Sequence, residues 1–292
     1  VRHLWIVALL KGAGGANRAR GDLRRAAIIL LLCQHPKPAP SFGSSPLTSP
    51  RFFSAHPLPR PLLPGSPFDI GEAISRHLQV LRITIGDEIT LFDGAGGEFS
   101  GTVSAIRKRD ATVALSAFHP VEREAPMRVT LVQALATSDK MDLIVQKAVE
   151  LGVTTIAPIS TSRATLKLDG ERAEKRVSHW QAIAVAACEQ CGRNRVPLVQ
   201  GLQTLDQWLM KRPEGISVLL DPLAEKSLLA SVDASTAIAV LVGPEGGFTD
   251  EEISRVLARG VLAARFGPRV LRTETAGLAA IAALGGRFGD LG

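Results

Sequence analysis

The chain has 292 residues, 46% hydrophobic and 21% charged, which excludes a disordered or collagen-like polymer and leaves room for one large domain or two smaller ones. The formal net charge of +6 resides in the first fifty residues, where seven Lys or Arg face one acid, Asp22, so any nucleic-acid binding by the balanced remainder rests on local basic clusters and shape. No apolar run approaches the ~20 residues of a membrane helix, and the three cysteines, Cys33, Cys188 and Cys191, are too few for a secreted disulfide scaffold and indicate a reducing compartment.

Residues 1–49 read as an unstructured extension: Arg-rich, almost free of acids, without a clean helical or strand period, and running into a Pro/Ser stretch from Pro36 to Pro50. An over-extended reading frame, a targeting segment and a folded arm all fit this composition, and the initial Val favours the first. The pattern changes at Arg51. Gly71 to Arg82 places Ile74, Leu78 and Leu81 at helical spacing, and Asp87–Phe92, Phe99–Arg107 and Ala111–Phe118 alternate as half-buried strands with Gly and Asp at their turns. This predicts a small, mostly β domain over 50–118, followed by a charged, Pro-containing linker over 119–128.

Beyond the linker, strand and helix alternate. Val129–Leu135 reads as an apolar strand, Ser138–Leu151 as a helix with Met141, Ile144, Val145, Ala148 and Leu151 on one face, and Thr155–Ile159 as a second strand. A long helix is expected over 171–190, then strands at 218–220, 238–242 and 263–266. Short apolar strands between helices indicate an α/β fold, a parallel sheet with helices on both faces. Ligands of such sheets lie outside the carboxyl ends of the strands, which directs attention to Leu220-Asp221-Pro222, Gly243–Gly247 and Gly267–Arg272.

The run Val242-Gly243-Pro244-Glu245-Gly246-Gly247-Phe248 leaves a strand and meets a capping box, Thr249 to Glu252. Its glycines let backbone approach a ligand beside a helix N-terminus, and a Cβ at Gly246 is expected to obstruct that ligand. A plain Gly-rich turn is the competing reading, and the spacing matches neither a dinucleotide fingerprint nor a P-loop. The second run, Phe266-Gly267-Pro268-Arg269-Val270-Leu271-Arg272-Thr273-Glu274, carries two arginines suited to phosphate or carboxylate, against the alternative of a salt-bridged loop. Thr273 suits a helix cap and Glu274 its first turn. Cys188-Glu189-Gln190-Cys191-Gly192-Arg193-Asn194-Arg195 ends the long helix. It lacks the further Cys or His partners of a zinc site, so buried thiols are expected and no metal. Arg193 to Arg195 would suit a phosphate or base edge. Arg76, His77 and Arg82, with Arg107, Lys108 and Arg109, form a last basic cluster, plausible for RNA and equally plausible as a solvated face.

Together, DKMDLIVQKAVELGV, ACEQCGRNRVP, LVGPEGGFTDEEI, FGPRVLRTETA and RFGDLG resemble the 16S ribosomal RNA (uracil-N3) methyltransferase family, RsmE, from about Pro50 to Gly292. The resemblance implies a PUA-like RNA-recognition barrel over 50–118 and a SPOUT domain with a trefoil knot over 129–292. It implies S-adenosyl-L-methionine cradled by Leu220, Val242, Gly243, Pro244, Glu245, Gly246, Gly247, Gly267, Pro268, Leu271 and Thr273. The implied substrate is one uridine of the decoding region of 16S rRNA, methylated at N3 by a homodimer in the cytoplasm, or in an organelle matrix if residues 1–49 are a transit peptide. Uracil N3 is nucleophilic only once its proton leaves, so Arg272 and Arg193 are the expected cations for the developing charge, and Glu274 the expected carboxylate. Expected RNA contacts are Arg51, Arg76, His77, Arg82, Arg193, Asn194 and Arg269. A SPOUT enzyme for another RNA site and a non-catalytic ribosome-assembly factor are the alternatives.

Overall fold

The computed structural model describes residues 49–107, 109–233 and 237–292; Cys33, Lys108 and the extension up to residue 48 lie outside them. The described residues form one compact unit.

Its first layer holds β1 (Arg51–Phe53), β2 (Pro67–Ile70), α1 (Glu72–Val80), β3 (Glu88–Phe92), β4 (Glu98–Ile106) and β5 (Ala111–His119). The strands form a sheet in the order β1-β3-β4-β5-β2, antiparallel except where β1 runs beside β3. Alternate side chains, Ile89 and Leu91, Phe99 and Val103, Val113 and Leu115, make one core with Leu78 of α1, as period-2 patterning requires. Gly101 sits at a register shift where a Cβ would meet Val113 Cγ1 at 2.6 Å, so only glycine lets β4 and β5 approach there.

The second layer holds β6 (Val129–Ala134), α2 (Ser138–Glu150), β7 (Thr155–Ser160), α3 (Gly170–Cys191), β8 (Leu198–Val199), β9 (Gln203–Thr204), α4 (Leu205–Lys211), β10 (Ile216–Leu220), β11 (Ile238–Val242), α5 (Asp250–Ala258), β12 (Leu262–Ala264) and α6 (Thr273–Phe288). Its parallel sheet runs β12-β10-β11-β6-β7-β8, with β9 also on β7. Leu131 packs with Ile144, Trp180 and Ile281, whereas its neighbour Val132 packs with Trp208, Leu209 and Val256. Helices α2, α3 and α6 thus cover one face and α4 and α5 the other; helices on both faces of a parallel sheet were read from the sequence, α4 was not. Burying each such aliphatic side chain stabilises the fold by about 1.5–3 kcal/mol.

Helix ends follow local chemistry. The capping box of Thr249 and Glu252 starts α5, and Gly192, at φ 88°, ends α3 in the left-handed conformation that glycine adopts without strain. Pro120 to Arg128 forms no helix or strand, and its charges bind the two layers together. Arg123 Nη1 lies 2.9 Å from Glu98 Oε2, which also takes Arg51 Nη1 at 2.5 Å. Arg51 Nη2 donates to Asn194 Oδ1 at 2.7 Å, and Asn194 Nδ2 donates to the Val121 carbonyl at 2.7 Å. This buried network seats the first layer on the C-terminal end of α3.

Candidate active site

The carboxyl ends of β10 and β11 open into a cleft of about 730 Å³, a size within the range of small-molecule and cofactor sites. Its walls are the segment after β10 (Leu220 to Leu223), the glycine loop after β11 (Gly243 to Phe248), and the approach to α6 (Phe266 and Arg269 to Thr273), with Lys140 of α2 at one side. Leu219, Leu220, Val242, Ile253 and Leu271 supply apolar surface. A smaller cavity of about 360 Å³ lies at the amino ends of β6 and β7, beside Trp208 and Lys211.

Two strand ends and the start of α6 are tied together beneath the cleft. Gln133, fully buried in β6, donates from Nε2 to Thr273 Oγ1 at 2.9 Å, and Thr273 donates onward to the Gly243 carbonyl at 2.6 Å. This reach is possible because α6 passes close over the sheet: a Cβ on Gly277 would stand 3.0 Å from Leu131 Cδ1 and 3.3 Å from Val242 Cγ2. Gly247, at φ 68°, closes the glycine loop in a conformation that side chains disfavour. From the other side, Arg163 Nη1 donates to the Gly246 and Phe248 carbonyls at 3.3 and 3.2 Å.

Charge is distributed unevenly around the opening. Lys140 Nζ stands 3.2 Å from Glu245 Oε1 and 3.4 Å from Glu274 Oε2. The hydrogen bond to Glu245 raises the Lys140 ammonium above its ordinary pKa. Burial pushes the Glu245 carboxyl up, but backbone amides, including that of Thr137, and the Lys140 ammonium outweigh this and hold it below the usual range. Arg269 and Arg272 line the cleft as exposed cations with no carboxylate partner among the described residues.

A family profile described as an RNA methyltransferase domain matches residues 123–285, and one described as an RNA methyltransferase PUA domain matches residues 70–116. The ribosomal RNA small subunit methyltransferase E of Bacillus subtilis is 31% identical over 224 residues, 73% of this chain and 87% of the relative. The chain belongs to the ribosomal RNA small subunit methyltransferase E family. Among solved structures, the family member from Neisseria gonorrhoeae bound to S-adenosyl methionine is 39% identical, with a TM-score of 0.78 over 84% of this chain and 100% of that one. A methyltransferase from Legionella pneumophila in complex with the cofactor SAM is 34% identical, with a TM-score of 0.77 over 83% of this chain and 99% of that one.

Within this family framework, Leu220, Val242, Gly243, Pro244, Glu245, Gly246, Gly247, Leu271, Thr273, Arg269 and Arg272 all line the cleft. Gly267 and Pro268 share the last loop but do not line it, and Glu274 adjoins it through Lys140. The first contact of a Cβ on Gly246 is Arg163 Cβ at 3.1 Å, so a side chain there presses on the loop after β7.

Arg193 requires a larger correction. Its side chain is 4% exposed, its Nε and Nη2 pair with Glu124, and its Nη1 donates to the Val149 and Val153 carbonyls at 2.9 and 2.8 Å. A guanidinium with its donors so committed is a structural cation, not a catalytic or RNA-contacting one. Asn194, fully buried, and Arg51, 8% exposed, belong to the same junction and are likewise removed from the RNA-facing set. Arg76 and Arg82 remain exposed, Arg76 pairing with Glu72 one helical turn away, while His77 packs edge-on against Phe52. The thiols of Cys188 and Cys191 are free, and burial pushes that of Cys188 up to about 12. Sequence reasoning missed Lys140 and Arg163. The basic residue in the DKMD run was legible, but its partners lie more than a hundred residues away.

Proposed function

We propose that the chain transfers a methyl group from S-adenosyl-L-methionine to N3 of a uridine in the decoding region of 16S rRNA. The observation that carries this reading is the cleft at the ends of β10 and β11, apolar on its walls and bordered by Arg272, which has no carboxylate partner among the described residues, in a chain that aligns over most of its length with SAM-bound relatives. The residues present suit such a cofactor. Apolar walls and backbone carbonyls fit an adenosine, and Glu274 Oε2 is buried without a hydrogen bond among the described residues, its contact being the Lys140 ammonium 3.4 Å away, which leaves it an acceptor suited to a further ammonium or N–H donor.

Bound there, the cofactor supplies a methyl group on a positively charged sulfur, which keeps the electron pair of the broken bond. The protein's work is orientation: the tied loops hold the reacting groups in line, and exclude water from the apolar walls. The N3 lone pair forms the new bond, and the N3 proton must leave. Arg272, exposed at the cleft, stabilises negative charge developing on the uracil, and Glu274, in the first turn of α6, is the carboxylate assigned to accept the proton. Exposed Arg76, Arg82 and Arg269 offer phosphate contacts.

The reading includes a trefoil knot and a homodimer. Support for the first is that Arg265 bridges to Ser227 while Thr273 bonds to Gly243, so the segments after β10, β11 and β12 lie against one another. Support for the second is apolar exposure at the cleft rim, where Leu223 is 91% and Val270 80% accessible. The test is transfer of labelled methyl from S-adenosylmethionine to unmodified small ribosomal subunits by the full chain, with the product nucleoside identified. Label in 3-methyluridine is the expected result. Transfer to another position would overturn the N3 assignment, and absence of cofactor binding would leave a non-catalytic RNA-binding protein.

A further inference from the structure

Lys140 occupies an unusual position for a residue in the first turn of a helix. Its ammonium stands between two carboxylates that arrive from different parts of the chain, Glu245 of the glycine loop and Glu274 of the first turn of α6. Glu245 Oε1 also accepts the backbone N–H of Thr137 at 3.2 Å, just ahead of α2, so one carboxylate links the glycine loop both to the start of α2 and to Lys140. Both members of the Lys140–Glu245 pair line the cleft, and their side chains are 26% and 25% exposed. The remaining acid of that turn, Asp139, is engaged with the Thr137 hydroxyl at 2.8 Å. Lys140 is thus the one cation at ion-pair distance from either carboxylate among the described residues.

That charge count has a chemical consequence. Methyl transfer from a sulfonium converts a cation into a neutral thioether, so uncompensated negative charge near the cleft holds the reactant more tightly than the product. The same charge stabilises the reactant more than a transition state in which the positive charge is already dispersed, and so raises the barrier. Glu245 and Glu274 would act in this way if left unpaired. Glu245 also fixes the glycine loop to α2, and the ammonium between the two carboxylates offsets the field they would project.

We propose that Lys140 is a positioning residue which, by pairing with Glu245 and Glu274, sets how strongly the cleft discriminates the sulfonium cofactor from its uncharged thioether product. The proposal rests on the cofactor reading above. It deepens that reading by assigning a determinant of the balance between cofactor binding and product release to a residue outside the glycine loops.

The experiment is calorimetric titration of the full chain with S-adenosylmethionine and, separately, S-adenosylhomocysteine, at low and at high salt. Lys140→Met is expected to raise the ratio of thioether to sulfonium dissociation constants on the order of tenfold, the scale of one added unit charge at a partly solvated site. High salt should shrink the change. Lys140→Arg should restore the parental ratio, and Glu274→Gln, which removes a negative charge, should move the ratio the opposite way. Thermal melting of each variant confirms folding, and the opposite sign expected of Glu274→Gln keeps the proposal testable if Lys140→Met fails to fold. Equal weakening of both ligands in Lys140→Met would show a purely structural tie and overturn the proposal, as would an unchanged ratio. A parent chain that binds neither ligand would defeat the cofactor reading itself. A parent that binds both while the variants leave the ratio untouched defeats only the role of Lys140.

Discussion

Replacing Glu98 by Gln tests whether the junction between the two layers is held by charge. Glu98 Oε2 takes hydrogen bonds from Arg51 at 2.5 Å, Arg123 at 2.9 Å and Asn194 at 3.3 Å, and its side chain is 7% exposed. Glutamine preserves the shape and one acceptor oxygen but leaves two guanidinium groups without a counter-charge. Removing one partner of a buried ion pair costs about 3–5 kcal/mol. Arg123, 19% exposed, can recover some solvation, and with the retained acceptor the expected loss is about 2–4 kcal/mol. At ~2–4 °C per kcal/mol for a chain of this size, Tm should fall by roughly 5–15 °C. The effect should also depend on pH. Burial pushes the Glu98 carboxyl up, but hydrogen bonds and charge from Arg123 and Arg51 outweigh it and hold the pKa below its ordinary value. Stability from such a carboxylate is fully present above the unfolded pKa, near 4.3, and is lost as pH falls through the lower folded value. The gap between parent and variant, measured by denaturant unfolding from pH 7 into acid, should therefore be widest near neutrality and narrow below about pH 4. A gap under about 1 kcal/mol at pH 7, the value of an ordinary exposed pair, would refute the reasoning, as would a gap that persists unchanged in acid.

Arg272→Ala should lower turnover by about a hundredfold or more, the cost of removing one charge-stabilising donor, with cofactor affinity little changed; equal losses would place the side chain in the cofactor pocket instead. Thr273→Val leaves the Gly243 carbonyl without its 2.6 Å donor, and should cost about 1–3 kcal/mol in denaturant unfolding along with weaker cofactor binding; stability equal to the parent would show that the tie is dispensable. Because burial raises the Cys188 thiol to about 12, alkylation at pH 8 followed by peptide mapping should leave Cys188 unmodified in the folded chain and modified after denaturation. Rapid labelling without denaturant would contradict its burial.

The order of strands and helices was readable because hydrophobic period is a local property. Val129–Ala134, Ser138–Glu150 and Ile238–Val242 each carry a full period of their own, and their bounds fall within a residue of expectation. The short strands β1, β2, β8 and β9 were not anticipated, since two to four residues carry no period and exist only through pairing with distant strands. The loops at the cleft were found for a related reason: strand, glycine and capping box are local signals, and parallel sheets place such loops together. Cations behave differently. Arg51, Arg193 and Arg272 are equivalent as sequence, but Arg51 meets Asn194 across 143 residues and Arg193 meets Glu124 across 69, while Arg272 faces the open cleft. Sequence determined that this chain builds a parallel sheet with glycine-rich loops at its ligand-binding edge. Tertiary structure decided which charges are buried in the junction and which remain for chemistry, because the free energy of a charge depends on its solvent and counter-ion, and neither is a property of its neighbours along the chain.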